Sequence, residues 1–179
     1  METRFSKFIK THILQFIKKP TLLVLVGLAG SGKSTWIREN KHKWKNTVVV
    51  EPDDIRREVF GNVSDMSEPN KILGITRDII LKNLKEKRNV VLDATNLYTS
   101  SRNYFINKLR EEIDFDLQAK IFNVDPNVAK ERIKKDLESG IDRANVPDEV
   151  IDSMYQAFQH TIKVLESEGF KIIDEYVEK

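Results

Sequence analysis

Cysteine is absent from the 179 residues of this chain. Disulfide bonds, thiolate catalysis and cysteine-based zinc sites are therefore excluded. The absence fits a reducing compartment, and we expect a cytoplasmic protein. No segment approaches the ~18 consecutive apolar residues of a membrane-spanning helix, and the longest apolar run, residues 22–26, has the length of a strand. Lysines interrupt every apolar block over residues 5–19, so a secretory signal peptide is not expected.

An excess of charge of one sign is also missing. The chain has 30 Lys+Arg against 28 Asp+Glu, a formal net charge of +2. This balance argues against nucleic-acid binding through bulk charge and leaves room only for a local basic patch. With 40% hydrophobic and 32% charged residues, the composition excludes disordered, collagen-like and coiled-coil chains and predicts one domain of ordinary size.

The first 20 residues are predicted to form an amphipathic helix ahead of the main domain. Apolar side chains recur there at helical spacing, at Phe5, Phe8, Ile9, Ile13, Phe16 and Ile17. Pro20 ends the pattern because proline cannot continue a helix. We expect the segment to pack against the edge of the sheet or against a partner, and its basic face also suits nucleic acid or a membrane surface.

Strand and helix patterns alternate over residues 21–179, which we assign to a single domain. The predicted strands are 21–28, 47–50, 89–92, 117–124 and 170–173. The predicted helices are 34–43, 55–60 (capped by Asp53), 69–87, 100–112, 127–138 and 147–166. The order predicts an α/β fold: a five-stranded parallel sheet with helices on both faces. Residues 127–146 are predicted to form a helical lid that hinges near Gly140 and Asp142.

Residues 27–34 read Gly-Leu-Ala-Gly-Ser-Gly-Lys-Ser and match the phosphate-binding loop, or P-loop, between a strand and a helix. Glycine lacks a Cβ atom, so backbone N–H groups can turn inward around a phosphate, and the helix adds its positive end. Lys33 is expected to reach the β- and γ-phosphates, and the Ser34 hydroxyl suits Mg²⁺. We therefore predict binding of ATP with Mg²⁺. The predicted nucleotide-binding residues are Gly27, Gly30, Ser31, Gly32, Lys33, Ser34 and Thr35.

Asp93 follows the third predicted strand and is a candidate for the Mg²⁺ shell. The alternative is that its carboxylate only caps the following turn. ATPase motors commonly carry a water-activating glutamate at the next position, where this chain has Ala94. The pattern therefore argues against a motor.

Asp53 and Arg56 follow the second predicted strand and lie three residues apart, on one face of a starting helix. Here a carboxylate could accept the proton of an attacking hydroxyl, and a guanidinium could clamp an anionic group of the acceptor. An N-cap and an exposed arginine explain the same spacing equally well. Thr95 and Asn96, after Asp93, could likewise position an acceptor or hold the turn.

The predicted lid carries several basic side chains: Lys130, Arg132, Lys134, Lys135 and Arg143. Acidic residues are interspersed, so a solvated helix face is the simplest interpretation. The alternative is a lid that brings one or two of these cations over the transferring phosphoryl group.

Four motifs occur in order along the chain. They are Gly-x-x-Gly-Ser-Gly-Lys-Ser-Thr-Trp (27–36), Asp-Asp-x-Arg (53–56), Asp-Ala-Thr-Asn-Leu (93–97) and Val-Pro-x-x-Val-Ile-x-x-Met-Tyr (146–155). Together they resemble the kinase domain of the phage-type polynucleotide 5′-hydroxyl kinases, over about residues 21–155. Only the first motif is shared by P-loop proteins in general.

This resemblance implies transfer of the ATP γ-phosphate to the 5′-hydroxyl of a DNA or RNA end. It implies that Asp53 is the general base and that Arg56 binds the phosphate 3′ to the acceptor nucleoside. Thr95 and Asn96 would lie in the acceptor pocket. The family places a lid arginine shortly before the Val-Pro motif, and here Arg132 and Arg143 both compete for that role.

Two other function classes stay open at this stage. The first is a small-molecule kinase on the same scaffold, with a sugar, nucleoside or antibiotic as acceptor. The second is an NTP-dependent switch or motor module, and the alanine after Asp93 counts against the motor. The Asp-x-Asp-Gly-Thr stretch of the phosphatase that often accompanies these kinases does not occur in the sequence.

Overall fold

The computed structural model describes residues 19–177. Apart from Lys19, the helix predicted for the N-terminal segment lies outside the described residues.

One parallel sheet forms the centre of the described chain. Its strands are β1 (Thr21–Gly27), β2 (Thr47–Val50), β3 (Asn89–Leu92), β4 (Asp116–Asn123) and β5 (Lys171–Val177). They lie in the order β2-β3-β1-β4-β5, and each neighbouring pair is parallel. The predicted five-stranded parallel sheet is therefore confirmed. This order places β3 next to β1, so the residues that follow these two strands meet at one edge of the sheet.

Six α-helices connect and cover the strands in the described part of the chain. They are α1 (Lys33–Asn40), α2 (Pro52–Phe60), α3 (Pro69–Lys85), α4 (Thr99–Arg110), α5 (Pro126–Glu138) and α6 (Asp148–Val164). A short 3₁₀ turn, Lys41–Lys43, extends α1. Proline is the first residue of α2, α3 and α5, where its missing N–H costs no helical hydrogen bond. None of the described helices is both long and apolar enough to cross a membrane.

Apolar side chains of the strands point alternately into two cores, one on each face of the sheet. Helices cover both faces, as predicted. Leu22 and Val24 of β1 point to the larger core, which α3, α4 and α6 cover. Leu25 points to the smaller core, where α1 contributes Ile37 and Trp36. Because both faces are buried, the inner strands read as continuous apolar runs rather than as alternating patterns.

Some predicted boundaries were wrong. Helix α2 begins at Pro52 with Glu51 as its N-cap, so Asp53 lies inside the first turn and is not the cap that the sequence suggested. Pro147 is the N-cap of α6, not its first residue. Strand β5 continues past the predicted Ile173 to Val177. Its polar end escaped detection because β5 is an edge strand whose side chains are largely exposed.

Candidate active site at the carboxyl ends of the strands

The P-loop leaves β1 and enters α1 in a shape that depends on its glycines. Gly30 and Gly32 have φ angles of 77° and 90°, in the left-handed region that side chains disfavour. A Cβ atom on Gly27 would lie 2.8 Å from the carbonyl oxygen of Phe122 on β4. The loop is therefore held close to the neighbouring strand, with backbone at positions where side chains would not fit.

Lys33 folds back over this loop. Its Nζ donates hydrogen bonds to the carbonyl oxygens of Gly27 (3.1 Å) and Leu28 (2.6 Å) and to Ser31 Oγ (3.2 Å). Burial lowers the pKa of Lys33 to about 8, and the Asp93 carboxylate partly opposes that shift. The ammonium group therefore lies inside the loop, at the position where a phosphate-binding cation is needed.

Ser34 and Asp93, the two predicted Mg²⁺ ligands, contact each other. Ser34 Oγ donates to Asp93 Oδ2 at 2.7 Å, so the carboxylate at the end of β3 faces the P-loop. Burial raises the pKa of Asp93, while Lys33 and the Ser34 hydrogen bond lower it. A hydroxyl and a carboxylate are the hard oxygen ligands that Mg²⁺ accepts together with phosphate and water. Among the described residues there is no group of three or more His, Cys, Asp or Glu side chains that could hold a metal ion.

Asp53 and Arg56 form an ion pair on the first turn of α2. Arg56 Nη1 donates to Asp53 Oδ1 at 2.5 Å and to the carbonyl oxygen of Val63 at 3.3 Å. The arginine side chain is only 11% exposed, whereas that of Asp53 is 62% exposed. The negative charge of Asp53 adds to the raised pKa of Asp93 and partly opposes the lowering of the Lys33 pKa. The electrostatic influence of Asp53 therefore extends to the P-loop.

Glu51 is a carboxyl group at this edge that the sequence analysis missed. It lies between β2 and α2 and is the N-cap residue of α2, without a capping hydrogen bond from its side chain. Burial raises its pKa to about 7, and Asp93, Asp54 and Asp53 add to the shift. The signal was present, since Glu51 directly follows a buried strand whose carboxyl end faces the crevice.

Thr95 and Asn96 lie on the loop between β3 and α4. Asn96 Nδ2 donates to the carbonyl oxygens of Leu25 (2.7 Å) and Ala94 (3.1 Å), and the Gly27 N–H donates to Thr95 O at 3.2 Å. The loop is thus joined to β1 immediately before the P-loop. The amide of Asn96 holds the turn, one of the two roles that the sequence left open.

A cavity of about 220 Å³ opens beside this loop. The three residues predicted to bind the acceptor, Arg56, Thr95 and Asn96, all line it. Most of the remaining wall is apolar and comes from α3 and α4, including Ile72 and Phe105. The fold therefore brings the three predicted acceptor residues to one place, although they lie up to 40 positions apart in the chain.

Arg132 and Arg143 both reach the P-loop side of the site. Arg132 Nη1 lies 3.5 Å from the carbonyl oxygen of Gly30. Arg143 Nη1 donates to Asp136 Oδ2 at 2.5 Å, and the positive charge of Arg143 contributes to lowering the pKa of Lys33. The Nε atom of Arg143 is buried without a hydrogen-bond acceptor among the described residues. Such an atom is rare in native proteins and is one of the features that accompany functional sites.

The other basic residues of the predicted lid agree with the simpler interpretation, a solvated helix face. Lys134 and Lys135 are exposed on α5, and Lys130 pairs with Asp152 of α6 at 2.7 Å. The opposite face of α5 buries Ala129 and Ile133 in the larger core. The residues of α5 that lie against the P-loop are thus core residues together with Arg132, and the lid stays a prediction.

Replacing Gly30 by alanine is expected to destabilise the fold strongly. The added Cβ would lie 2.5 Å from the carbonyl oxygen of Ala129, a backbone atom that cannot move aside easily. We expect about 1–2 kcal/mol for the left-handed backbone and about 1–3 kcal/mol more for the overlap. Gly61→Ala is the control, because Gly61 also has a positive φ but no atom within 4 Å of the new Cβ. Thermal unfolding should show the larger loss for Gly30→Ala, and equal losses would contradict the close packing of the P-loop on α5.

A parallel sheet whose central strand leads into a lysine-containing P-loop, with an aspartate at the end of the adjacent strand, defines a P-loop kinase fold. The model of a family described as the AAA domain matches residues 22–161, and the chain belongs to this family. Such a P-loop domain binds nucleotide, which confirms the ATP prediction at this level. No curated protein matches the chain significantly.

The chain resembles solved structures both at about 30% sequence identity and at much lower identity. A chain of the Pnkp1/Rnl/Hen1 RNA repair complex is 30% identical with a TM-score of 0.72, over 87% of this chain and 47% of that one. A chain in a second structure of the Pnkp1/Rnl/Hen1 complex is 32% identical with a TM-score of 0.54, over 65% of this chain and 40% of that one. This chain therefore spans about half the length of those chains. The likeness confirms the predicted polynucleotide kinase-like family.

A candidate kinase from Chloroflexus aurantiacus J-10-fl shares only 11% identity, with a TM-score of 0.63 over 76% of this chain and 78% of that one. At this identity the likeness concerns the fold alone.

Proposed function

We propose that the protein is an ATP-dependent kinase that transfers the γ-phosphate to the 5′-hydroxyl of a polynucleotide. The observation that carries this proposal is the ion pair on α2. The carboxylate of Asp53 acts electrostatically on Lys33 and Asp93, on the nucleotide side, while its partner Arg56 lines the cavity on the other side. We therefore propose Asp53 as the proton acceptor between the donor phosphates and the acceptor pocket.

The residues take the following roles in this proposal. The oxygen of the acceptor hydroxyl forms a bond to the γ-phosphorus, the bond from that phosphorus to the β–γ bridging oxygen breaks, and ADP leaves. The hydroxyl proton passes to Asp53. Lys33 and Arg143 stabilise the negative charge that spreads over the phosphoryl oxygens. Ser34 and Asp93 would hold Mg²⁺, which neutralises charge on the phosphates when bound.

Two observations support a polynucleotide as acceptor. Arg56 offers a guanidinium at the cavity, and this group matches the geometry of a phosphodiester. The similar chains belong to an RNA repair complex. We therefore propose a role in repairing nucleic-acid ends, in which Arg56 binds the phosphate 3′ to the acceptor nucleoside and Thr95 lies beside it.

The cavity itself favours a second candidate, a kinase for a small hydroxyl compound. Its wall is mostly apolar and its volume is about 220 Å³. Apolar cavities of about 150 Å³ already hold a benzene ring. The aromatic ring of a nucleoside or an antibiotic would therefore fit beside Arg56 without a polymer.

An acceptor screen distinguishes the two candidates. Purified protein, Mg²⁺ and γ-labelled ATP are incubated with 5′-hydroxyl DNA and RNA oligonucleotides, with nucleosides, and with sugars and antibiotics. We expect label on 5′-hydroxyl oligonucleotides and none on matched oligonucleotides that already carry a 5′-phosphate. Label on small molecules alone would support the second candidate, and label on inorganic phosphate alone would contradict both.

A further inference from the structure

A buried ion pair far from the P-loop lies directly behind the acceptor loop. Arg102 of α4 donates from Nε and Nη2 to the two carboxylate oxygens of Glu168, both at 2.8 Å. Its side chain is 2% exposed and that of Glu168 is 7% exposed. Glu168 lies in the turn between α6 and β5, 66 residues further along the chain. A two-pronged arginine–carboxylate contact of this kind fixes both position and orientation.

The remaining donor of Arg102 is directed at the acceptor loop. Nη1 donates to the carbonyl oxygen of Asn96 at 2.8 Å and to Thr161 Oγ1 at 3.2 Å. The Thr161 hydroxyl in turn donates to the carbonyl oxygen of Leu97 at 2.6 Å. Two consecutive carbonyl groups of the loop are therefore held by one network.

The loop includes a residue in the left-handed region. Asn96 has a φ angle of 51°, which asparagine tolerates better than most residues other than glycine. From the other side, Asn96 Nδ2 and Thr95 O are hydrogen-bonded to Leu25 and Gly27 of β1. The loop is thus held between the strand that leads into the P-loop and the pair formed by Arg102 and Glu168.

We propose that Arg102 and Glu168 are positioning residues that set the distance between the acceptor loop and the P-loop. The identity of the acceptor rests on the proposed function, whereas the support of the loop rests on the hydrogen bonds alone. In-line transfer requires the attacking oxygen to lie close to its target, and a displacement of about 1 Å can lower the rate on the order of 100-fold. The pair is proposed to act through the loop that it holds; Arg102 also lines the cavity, whereas Glu168 is not among the lining residues.

Arg102→Lys is the main test, because lysine keeps the charge but cannot hold Glu168 and Asn96 at once. We expect kcat/KM for the 5′-hydroxyl oligonucleotide to fall about 10–100-fold, through a lower kcat together with a higher acceptor KM, with the KM for ATP nearly unchanged. Glu168→Gln keeps the shape of the carboxylate and should give a smaller change in the same direction. It also serves as the second variant if Arg102→Lys does not fold.

Lys120→Ala provides a matched control. Lys120 is another buried cation, on β4, and it pairs with Asp174 while lying 5.1 Å from the ring centre of Trp36. Its side chain is 3% exposed, and the pair lies on the sheet face that α1 covers, on the opposite side from the acceptor loop. Its removal should destabilise the fold without changing either KM. Positioning would be supported if the acceptor KM rises and the KM for ATP does not, and if this happens only in the Arg102 and Glu168 variants.

Amide hydrogen exchange gives a readout that needs no acceptor. We expect residues 94–98 to exchange faster in Arg102→Lys and Glu168→Gln than in the wild type, and to be unchanged in Lys120→Ala. Unchanged protection of these residues, or a parallel rise of both KM values, would overturn the proposal. If the wild type labels no oligonucleotide, the proposed function fails, and the exchange experiment still decides the role of the pair.

Discussion

Asp53→Asn is expected to lower kcat by roughly 10²–10⁴, the usual contribution of a general base, while ATP still binds. The substitution keeps the shape of the side chain and an oxygen that can accept the hydrogen bond of Arg56. Helix α2 and the cavity should therefore be preserved. What is lost is the carboxylate that takes the proton from the attacking hydroxyl. The measurement is steady-state transfer to an oligonucleotide, together with ATP binding at equilibrium.

Asp54→Asn is the matched control for this prediction. Asp54 is the next residue on the same turn, but its ion-pair partner is Arg57, which also binds Asp142 at 2.8 Å. We expect kcat to change by less than about tenfold, since Asp54 pairs with Arg57 at the surface and its charge acts on the site only as one contribution to the raised pKa values of Glu51 and Asp93. A similar loss in both variants would mean that the rate depends on the total negative charge of this turn. A near-normal kcat in Asp53→Asn would remove Asp53 from the chemistry.

The fold could be predicted because its signals are local. Each inner strand is a short apolar run, and each crossover helix has its own periodic stripe, so the alternation alone implies a parallel sheet. The residues at which helices and strands begin and end were harder to predict from the sequence. Asp53 resembles a helix cap in sequence. Only the structure shows that α2 already starts at Pro52, with Glu51 as its N-cap. The polar end of β5 carries no apolar pattern, because pairing with β4 alone defines it.

The site was predictable to the extent that its parts are contiguous in sequence. The P-loop is one eight-residue segment, and it gave the nucleotide side directly. The pairing of Ser34 with Asp93 spans 59 residues, and that of Arg102 with Glu168 spans 66. No periodicity or spacing connects residues so far apart. The first pair was inferred because both members belong to known kinds of motif, and the second was missed because neither does.

Arg143→Gln is expected to lower kcat by about 10³-fold or more, as the loss of a phosphoryl-stabilising arginine does in related chemistry. The sequence left Arg132 and Arg143 as equal candidates for this role. The structure distinguishes them by what each guanidinium already binds. Arg132 lies next to the P-loop carbonyl oxygen of Gly30, whereas Arg143 Nε is a buried donor without an acceptor in the described part of the chain.

The charge of Arg143 also acts on the nucleotide side of the site. It contributes to lowering the pKa of Lys33, so the two cations lie close enough to repel each other. Two cations held together in this way are stabilised when an anion is placed between them. We expect the transferring phosphoryl group to be that anion, because its negative charge spreads over three oxygens in the transition state.

Two variants test this assignment against its alternatives. Arg132→Gln should act mainly through a higher KM for ATP, since Arg132 contacts the loop that holds the donor phosphates. Asp136→Asn removes the charge that tethers Arg143 at 2.5 Å, and we expect a loss of about tenfold in kcat because the guanidinium is retained but held less firmly. If Arg132→Gln instead causes the larger loss of kcat, the two arginines exchange roles. If neither Arg143→Gln nor Arg132→Gln lowers kcat, the stabilisation comes from Lys33 and Mg²⁺ alone, and the buried Nε atom has no part in transfer.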